Sequence, residues 1–278
     1  MTSGGGGGAF GGGGRSHGLP MRSGHAERPT VRLATYNIHK FAGIDGRRDP
    51  ARTFAVIREL DADVVALQEF DSRTSRRGAA VTVADLEAET GYAALVHATR
   101  SSRRGGYRGN IILTRFPTGE VERHDIGELE PRGLMVADLD VHGTKVRVAV
   151  THLALWPAAR LRQAARLASE LSPPKDGMLV LAGDLNEWRR AGRSRAVLAR
   201  CYGAHPMLPT FPALRPFVAL DQVWVRPRSA LAAMEVHRSR LAREASDHLP
   251  VKATLKLPDA IDLVATKFDG DDWGAVPA

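Results

Sequence analysis

Polar side chains suited to phosphate chemistry stand at the ends of apolar runs in this 278-residue chain: Asn37, Glu69, His152, Asp184 with Asn186, and Asp247 with His248. One Asn or Asp in such a place is most often a turn former, because its side chain bonds its own backbone. Repeated clusters with complementary chemistry point instead to a single pocket, since strand ends in α/β architectures gather side chains from distant positions. Carboxylate oxygens are hard ligands that suit magnesium or manganese, and soft ligands are too few for a zinc site. Glu69 and Asp247 would supply charge to a cation that polarises a phosphoryl oxygen. Asp184 and Asn186, two residues apart, would hold a water between them. His152 and His248 would donate hydrogen bonds to phosphate oxygens. A histidine in that role usually has a carboxylate behind it, and Asp221 is the candidate partner of His248.

The elements that must carry these residues can be read from period and punctuation. Residues 31–37 alternate like a strand. Asp49-Pro50 reads as an N-cap followed by proline at the first helical position, with an amphipathic helix continuing over 51–60. Residues 64–67 form a short buried strand that runs into Gln68-Glu69. A helix is predicted over 83–90, with strands near 92–97 and 110–114. A hairpin around His142-Gly143 joins 134–141 to 145–151. Residues 158–171 are helical, 178–182 form a strand ending in Gly183-Asp184, and strands near 222–225 and 251–257 complete the pattern. Interleaved helices together with hairpins predict mixed sheets rather than a purely parallel one. Residues 1–29 hold two glycine runs that cannot offset the entropy of ordering them, which predicts a disordered tail. Residues 30–258 form the expected domain, and 259–278, with acidic Asp269-Gly-Asp-Asp272, an appended extension.

Composition narrows the classes. The chain is 43% hydrophobic and 25% charged, with a net charge of +8. A pI of about 10.1 favours anionic partners: nucleic acid, nucleotides or phospholipid head groups. Cys201 is the one cysteine, so an internal disulfide is excluded and the thiol reads as a small core residue. No stretch is apolar enough over enough residues to span a bilayer, and residues 1–20 lack the apolar segment of a secretory signal. The expectation is a soluble, cytoplasmic protein, taken as a monomer, for which peripheral membrane contact stays open. A serine or cysteine hydrolase is disfavoured, because there is no Gly-x-Ser-x-Gly elbow and no histidine placed for Cys201.

Seven motifs add a resemblance: Thr35-Tyr-Asn-Ile-His39, Leu67-Gln-Glu69, Gly109-Asn-Ile-Ile-Leu-Thr-Arg115, Thr151-His-Leu153, Ala182-Gly-Asp-Leu-Asn186, Leu220-Asp-Gln222 and Ser246-Asp-His-Leu-Pro250. In this order they resemble those of the endonuclease/exonuclease/phosphatase superfamily, which includes the pancreatic-type deoxyribonucleases, sphingomyelinases and inositol-polyphosphate phosphatases. The resemblance implies a four-layer α/β sandwich of two packed mixed sheets flanked by helices, as in deoxyribonuclease I. It also implies a phosphoesterase that depends on magnesium or manganese and works by direct attack of water. On that basis Glu69 looks like the principal metal ligand, assisted by Asn37. Asp184, beside Asn186, resembles the residue that activates or orients the water. His248, backed by Asp221, resembles the histidine that contacts the scissile phosphate. His152 is similar to a second phosphate-binding position, and Asp247 looks like an additional metal or water contact.

The substrate is less sharply indicated. Exonuclease III-type enzymes usually carry Leu-Gln-Glu-Thr-Lys where this chain has Leu67-Gln-Glu-Phe-Asp71. Residues 37–40 are more similar to a compact bacterial branch, some of whose members are associated with phospholipid metabolism. Two arginine-rich loops, 100–108 and 188–195, are expected to shape the mouth of the site, with Arg108, Asn110, Arg189 and Arg190 as candidate substrate contacts. Tyr107 or Trp188 could stack on a base or lie against a lipid head group. The favoured substrate is a polyanionic or phospholipid-type ester, and a DNA or RNA nuclease is the alternative. A silent nucleic-acid-binding module is least favoured, since no metal or water residue is missing.

Overall fold

Strand β1 (Thr30–Asn37) shows the rule on which the chain is built. Val31 and Leu33 enter one apolar cluster while Ala34 and Tyr36 enter another, so a strand of period two is buried on both faces. The computed structural model describes Met1 and residues 29–73, 80–103, 105–127 and 130–257; all but the ends of the expected 1–29 tail, and the whole 259–278 extension, lie outside them. Chain order continues with α1 (Pro50–Leu60), β2 (Val64–Asp71), α2 (Val83–Thr90), β3 (Ala93–Ser101), β4 (Tyr107–Thr114), β5 (Thr118–Asp125), β6 (Gly133–Val141) and β7 (Thr144–His152). It closes with α3 (Pro157–Glu170), β8 (Gly177–Asp184), α4 (Arg193–Tyr202), β9 (Asp221–Arg226), β10 (Leu231–Val236), α5 (Arg240–Ala245) and β11 (Val251–Lys256).

The strands form two mixed sheets, one of six strands in the order β10-β11-β1-β2-β4-β3 and one of five in the order β5-β6-β7-β8-β9. Only β1–β2 and β7–β8 pair in parallel among the described strand pairs; the others are antiparallel. The inner faces meet through Val31, Leu33, Val64 and Ile112 on one side and Met135, Val148, Val150 and Val180 on the other. Burying each such Val or Leu contributes about 1.5–3 kcal/mol over leaving it exposed. Helices α1, α2 and α5 cover the outer face of the six-stranded sheet, and α3 and α4 cover the other. The result is the expected four-layer sandwich of the deoxyribonuclease I-like fold.

Local signals account for the helices that were read correctly. Asp49 caps α1 by accepting from the Arg52 amide at 3.3 Å, with Pro50 in the first turn. Thr82 and Asp85 form a reciprocal capping box at α2, which Gly91 ends in the left-handed conformation. The sequence reading lacked β5, β10, α4 and α5. Residues 188–195, expected to be one arginine-rich loop, instead run into α4 at Arg193.

Candidate active site

Following the inner face of each central strand leads to the site. On β1 the inward series Val31, Leu33, Thr35 continues to Asn37, and on β7 Val146, Val148, Val150 continues to His152. On β8 Met178, Val180, Ala182 leads to Asp184; on β9 Val225 and Val223 lead back to Asp221; on β4 Ile112 leads back to Asn110. The ladder that makes the core therefore ends, at one edge of the sandwich, in amides, carboxylates and imidazole. His152, Asp184 and Asp221 are direct register partners across three adjacent strands.

Glu69 does not follow from alternation, because Gln68 takes the inward place and bonds Thr35. A bulge between Leu67 and Phe70 adds one residue to β2, and Glu69 sits in it with φ +60°. Left-handed backbone at a glutamate costs about 1–3 kcal/mol and is held only where surroundings enforce it. Here the kink turns the carboxylate into the cavities that the inner ladder borders.

Asp184 is the hub. One carboxylate oxygen accepts the Asn186 backbone N–H at 3.0 Å, while the Asn186 side-chain amide donates to the Leu153 carbonyl at 2.9 Å. The other accepts Asn37 Nδ2 at 3.0 Å and lies 3.5 Å from His152 Nε2 and 3.9 Å from His248 Nε2. Behind His248, Asp221 Oδ2 is 2.8 Å from Nδ1 and also accepts the Thr210 hydroxyl at 2.6 Å. The Phe211 ring lies 5.0 Å from the imidazole. Burial alone would lower His248; Asp221, with Asp184 and Asp247 beyond it, reverses this and raises it to about 10, so the ring is an imidazolium at neutral pH. His152, by contrast, is pushed down by burial against the pull of Asp184. Burial pushes the Glu69 carboxyl up, but His152, Lys40 and His39 outweigh it and hold the group at about 2.

Two cavities flank this centre and share Glu69, Arg132 and His152. One, of about 250 Å³, is cationic, with Lys40, Arg100, Arg108 and Arg132 in its wall beside Asn110. The other, of about 400 Å³, brings Asn37, Asp184, Asn186 and His248 together with Leu155, Trp188, Phe211, Val218 and Leu220.

The structure thus gathers Asn37, Glu69, His152, Asp184, Asn186 and His248 around the cavities, with Asp221 behind His248 and Arg108 and Asn110 in the cationic wall. It does not bring Asp247, Arg189 or Arg190 to either cavity. The Asp247 carboxylate is turned to His39, 3.4 Å away, and Arg189 and Arg190 are exposed beyond the rim. Tyr107 is no stacking platform, because its half-buried ring packs on Phe70 at 5.9 Å. Arg195 turns inward to Gln222 and the His205 carbonyl, over Trp224.

Residues that the motifs did not single out complete the site. Lys40, at φ +59°, places its ammonium 2.6 Å from Glu69 Oε2. Arg132 pairs with Glu130 at 2.7 Å. Outside both cavities, Arg160, 2% exposed, lies 3.6 Å from Glu187 and donates to the Ala154 and Leu155 carbonyls at 3.1 and 2.8 Å, which ties down the loop that bears Leu155. Glu187 could have been found as the next polar residue after Gly183-Asp-Leu-Asn186, whereas Arg132 stands in a loop that carries no strand-end signal.

Comparison with known proteins identifies the family and the fold. The pattern of the endonuclease/exonuclease/phosphatase family matches residues 34–248. The chain belongs to that family, whose members are metal-dependent hydrolases of phosphoester bonds. It is 29% identical over 249 residues to the uncharacterized protein YbhP of Escherichia coli (strain K12), covering 82% of this chain and 97% of that one. Its fold is similar to an endonuclease/exonuclease/phosphatase from Beutenbergia cavernae, with TM-score 0.68, 25% identity, and coverage of 84% and 73% of the two chains. It is also similar in fold to the human Nocturnin catalytic domain solved with bound sulfate, with TM-score 0.63, 18% identity, and coverage of 83% and 96%.

The donor chemistry can be tested against a divalent ion. Glu69 offers an ionised carboxylate already facing a cation. Asn37, whose amide oxygen accepts the His39 backbone N–H at 3.0 Å, lines the same cavity, and the oxygens of both are hard donors of the kind that fit magnesium or manganese. A tighter group, Asp184, Asp221 and His248, has ligating atoms within 4.8 Å of one another. It suits a hard ion less well, because one of its three ligands is an imidazole nitrogen.

Proposed function

We propose that the protein is a divalent-metal-dependent phosphodiesterase that hydrolyses an anionic, phospholipid-type ester by direct attack of water. The observation that carries this reading is Asp184: one buried carboxylate reaches Asn37 at 3.0 Å and approaches two histidines at 3.5 and 3.9 Å. Glu69 and Asn37 hold magnesium or manganese, which when bound polarises a phosphoryl oxygen and offsets the charge that develops there. Asp184 takes the proton of a water kept in place by Asn186, and the water oxygen adds to phosphorus as the opposite ester bond breaks. His248, charged by Asp221, donates to a phosphate oxygen in a site from which solvent is largely excluded, where such a bond is strongest. His152 donates to a second oxygen. Arg108 and Asn110 receive a further anionic group in the cationic cavity. Asp247 adds negative charge from the edge.

A nuclease reading draws on one observation, the Arg189 guanidinium 5.5 Å from the centre of the Trp188 ring, which would also suit a base. Hydrolysis of bis-(p-nitrophenyl) phosphate and of the matching monoester separates diesterase from phosphatase. Both are measured with magnesium or manganese and with EDTA, for the wild type and Asp184→Ala. Metal-dependent turnover that falls by about 10² to 10⁴-fold in the variant is expected. Turnover that survives EDTA, or a variant as active as the wild type, would refute the mechanism.

A further inference from the structure

Single exposed apolar side chains are ordinary, but a cluster beside a cavity is not. Five of the seven large apolar side chains exposed among the described residues stand on three loops around the larger cavity: Leu155 and Trp156, Trp188, and Leu214 with Phe217. Each loop also builds the cavity wall, through Leu155, through Trp188, and through Phe211, Val218 and Leu220. Trp156 and Phe217 are 67% and 76% exposed and line neither cavity. Their apolar area is therefore explained neither by packing nor by the catalytic centre.

Just beyond this rim, Arg189 and Arg190 follow Trp188 and Arg215 follows Leu214, all three exposed. The amphipathic rings of Trp156 and Trp188 near arginine match the boundary of an anionic bilayer, where such rings sit at head-group depth and each basic residue gains about 1 kcal/mol. A base-stacking surface would account for Trp156, Trp188 and Phe217, but not for the aliphatic Leu155 and Leu214. Inside the rim the larger cavity joins the catalytic groups to an apolar wall of Leu155, Trp188, Phe211, Val218 and Leu220, and it shares Glu69, Arg132 and His152 with the cationic cavity.

We infer that the loops bearing Leu155, Trp156, Trp188, Leu214 and Phe217 seat the active site on an anionic phospholipid bilayer. The ester cleaved is then a phospholipid of that surface, its acyl part lying along the apolar wall of the larger cavity and its head group toward Lys40, Arg100 and Arg108. The chemistry rests on the phosphodiesterase reading above; the docking does not.

Docking is measured by co-sedimentation in EDTA, so that no turnover is needed. The vesicles are phosphatidylcholine alone or phosphatidylcholine with phosphatidylglycerol. The wild type is expected to pellet with the anionic vesicles. Trp156→Ser combined with Phe217→Ser should bind them at least about tenfold more weakly, from the apolar area removed. An unchanged melting temperature and unchanged turnover of bis-(p-nitrophenyl) phosphate would show that the double variant is folded. With metal restored, its hydrolysis of vesicle phospholipid should fall in step with its binding. Wild type left in the supernatant, or a double variant that binds as well as the wild type, overturns the docking. Displacement of the bound wild type by a single-stranded oligonucleotide would give the rim to nucleic acid and overturn it too. Absence of turnover on every ester would refute the phosphodiesterase reading while leaving the sedimentation result intact.

Discussion

Replacing Gly183 by alanine should cripple the site without altering any of its polar side chains. Gly183 lies at φ +152°, and a Cβ built there would stand 1.9 Å from the Thr151 carbonyl oxygen. Strands β7 and β8 would have to part by 1.1 Å (3.0 − 1.9) to bring that contact to 3.0 Å, still tighter than almost any real one. Thr151 and Gly183 are register partners, and the next pair along is His152 with Asp184. The displacement therefore falls on the 3.5 Å contact between them. A misplacement of about 1 Å costs about 10²-fold in rate. Backbone strain of about 1–3 kcal/mol adds to an overpacking term of similar size, so the stability loss should be about 3 kcal/mol or more. Gly143→Ala is the control: its φ is +83°, but nothing lies within 4 Å of the added carbon. It should lose about 1 kcal/mol and keep its turnover. Thermal melts and metal-dependent turnover of bis-(p-nitrophenyl) phosphate report both effects. If Gly183→Ala melts and turns over like Gly143→Ala, the register argument is wrong.

Asp221→Asn should return the His248 midpoint from about 10 toward the ordinary 6.5, read by NMR titration without metal. Because the folded-state value is raised, its stabilisation is full below 6.5 and fades as pH climbs through about 10, so the melting gap between wild type and variant should close over that range; a gap that stays constant with pH would count against it. Arg160→Met leaves Glu187 buried without its cation and releases the Ala154 and Leu155 carbonyls; a loss of about 3–5 kcal/mol is expected in denaturant titration, and a loss below about 1 kcal/mol would mean that the pair is idle. Arg189→Ala with Arg190→Ala should raise KM for a polyanionic substrate and flatten its salt dependence with kcat unchanged; an unaltered salt slope would leave both side chains as mere solvated charge.

Most of the scaffold could be read because both faces of its central strands are apolar and each run stops at a polar residue. What escaped has physical causes. Strand β5, Thr118–Asp125, is a sheet edge with an exposed, charged sequence, and β10 is a six-residue edge strand, so neither shows a buried run. Helix α4 starts from Gly192 without a side-chain cap, which removed the start signal and left its arginines to look like loop. The site was legible wherever alternation leads to it, at Asn37, His152, Asp184 and Asp221. At Glu69 the bulge that aims the side chain was invisible, since Leu67-Gln-Glu reads as an unbroken strand end. Asp247 and the arginines Arg189 and Arg190 show the opposite limit: proximity in sequence to a strand end does not say which way a side chain turns.

The continuity of core and site along one ladder has a consequence for how the protein can change. Substitutions at the last inward position of a strand rewrite the chemistry and leave the packing beneath it intact. Insertion or deletion of one residue within β1, β7 or β8 shifts the parity, sending Asn37, His152 or Asp184 to the helix-covered face while polar or outer-face groups enter the core. Sequence drift at this site is thus free in residue type and quantised in length. The bulges at Glu69 in β2 and between Ala98 and Arg100 in β3 are places where an odd residue is accommodated, and both border the cationic cavity.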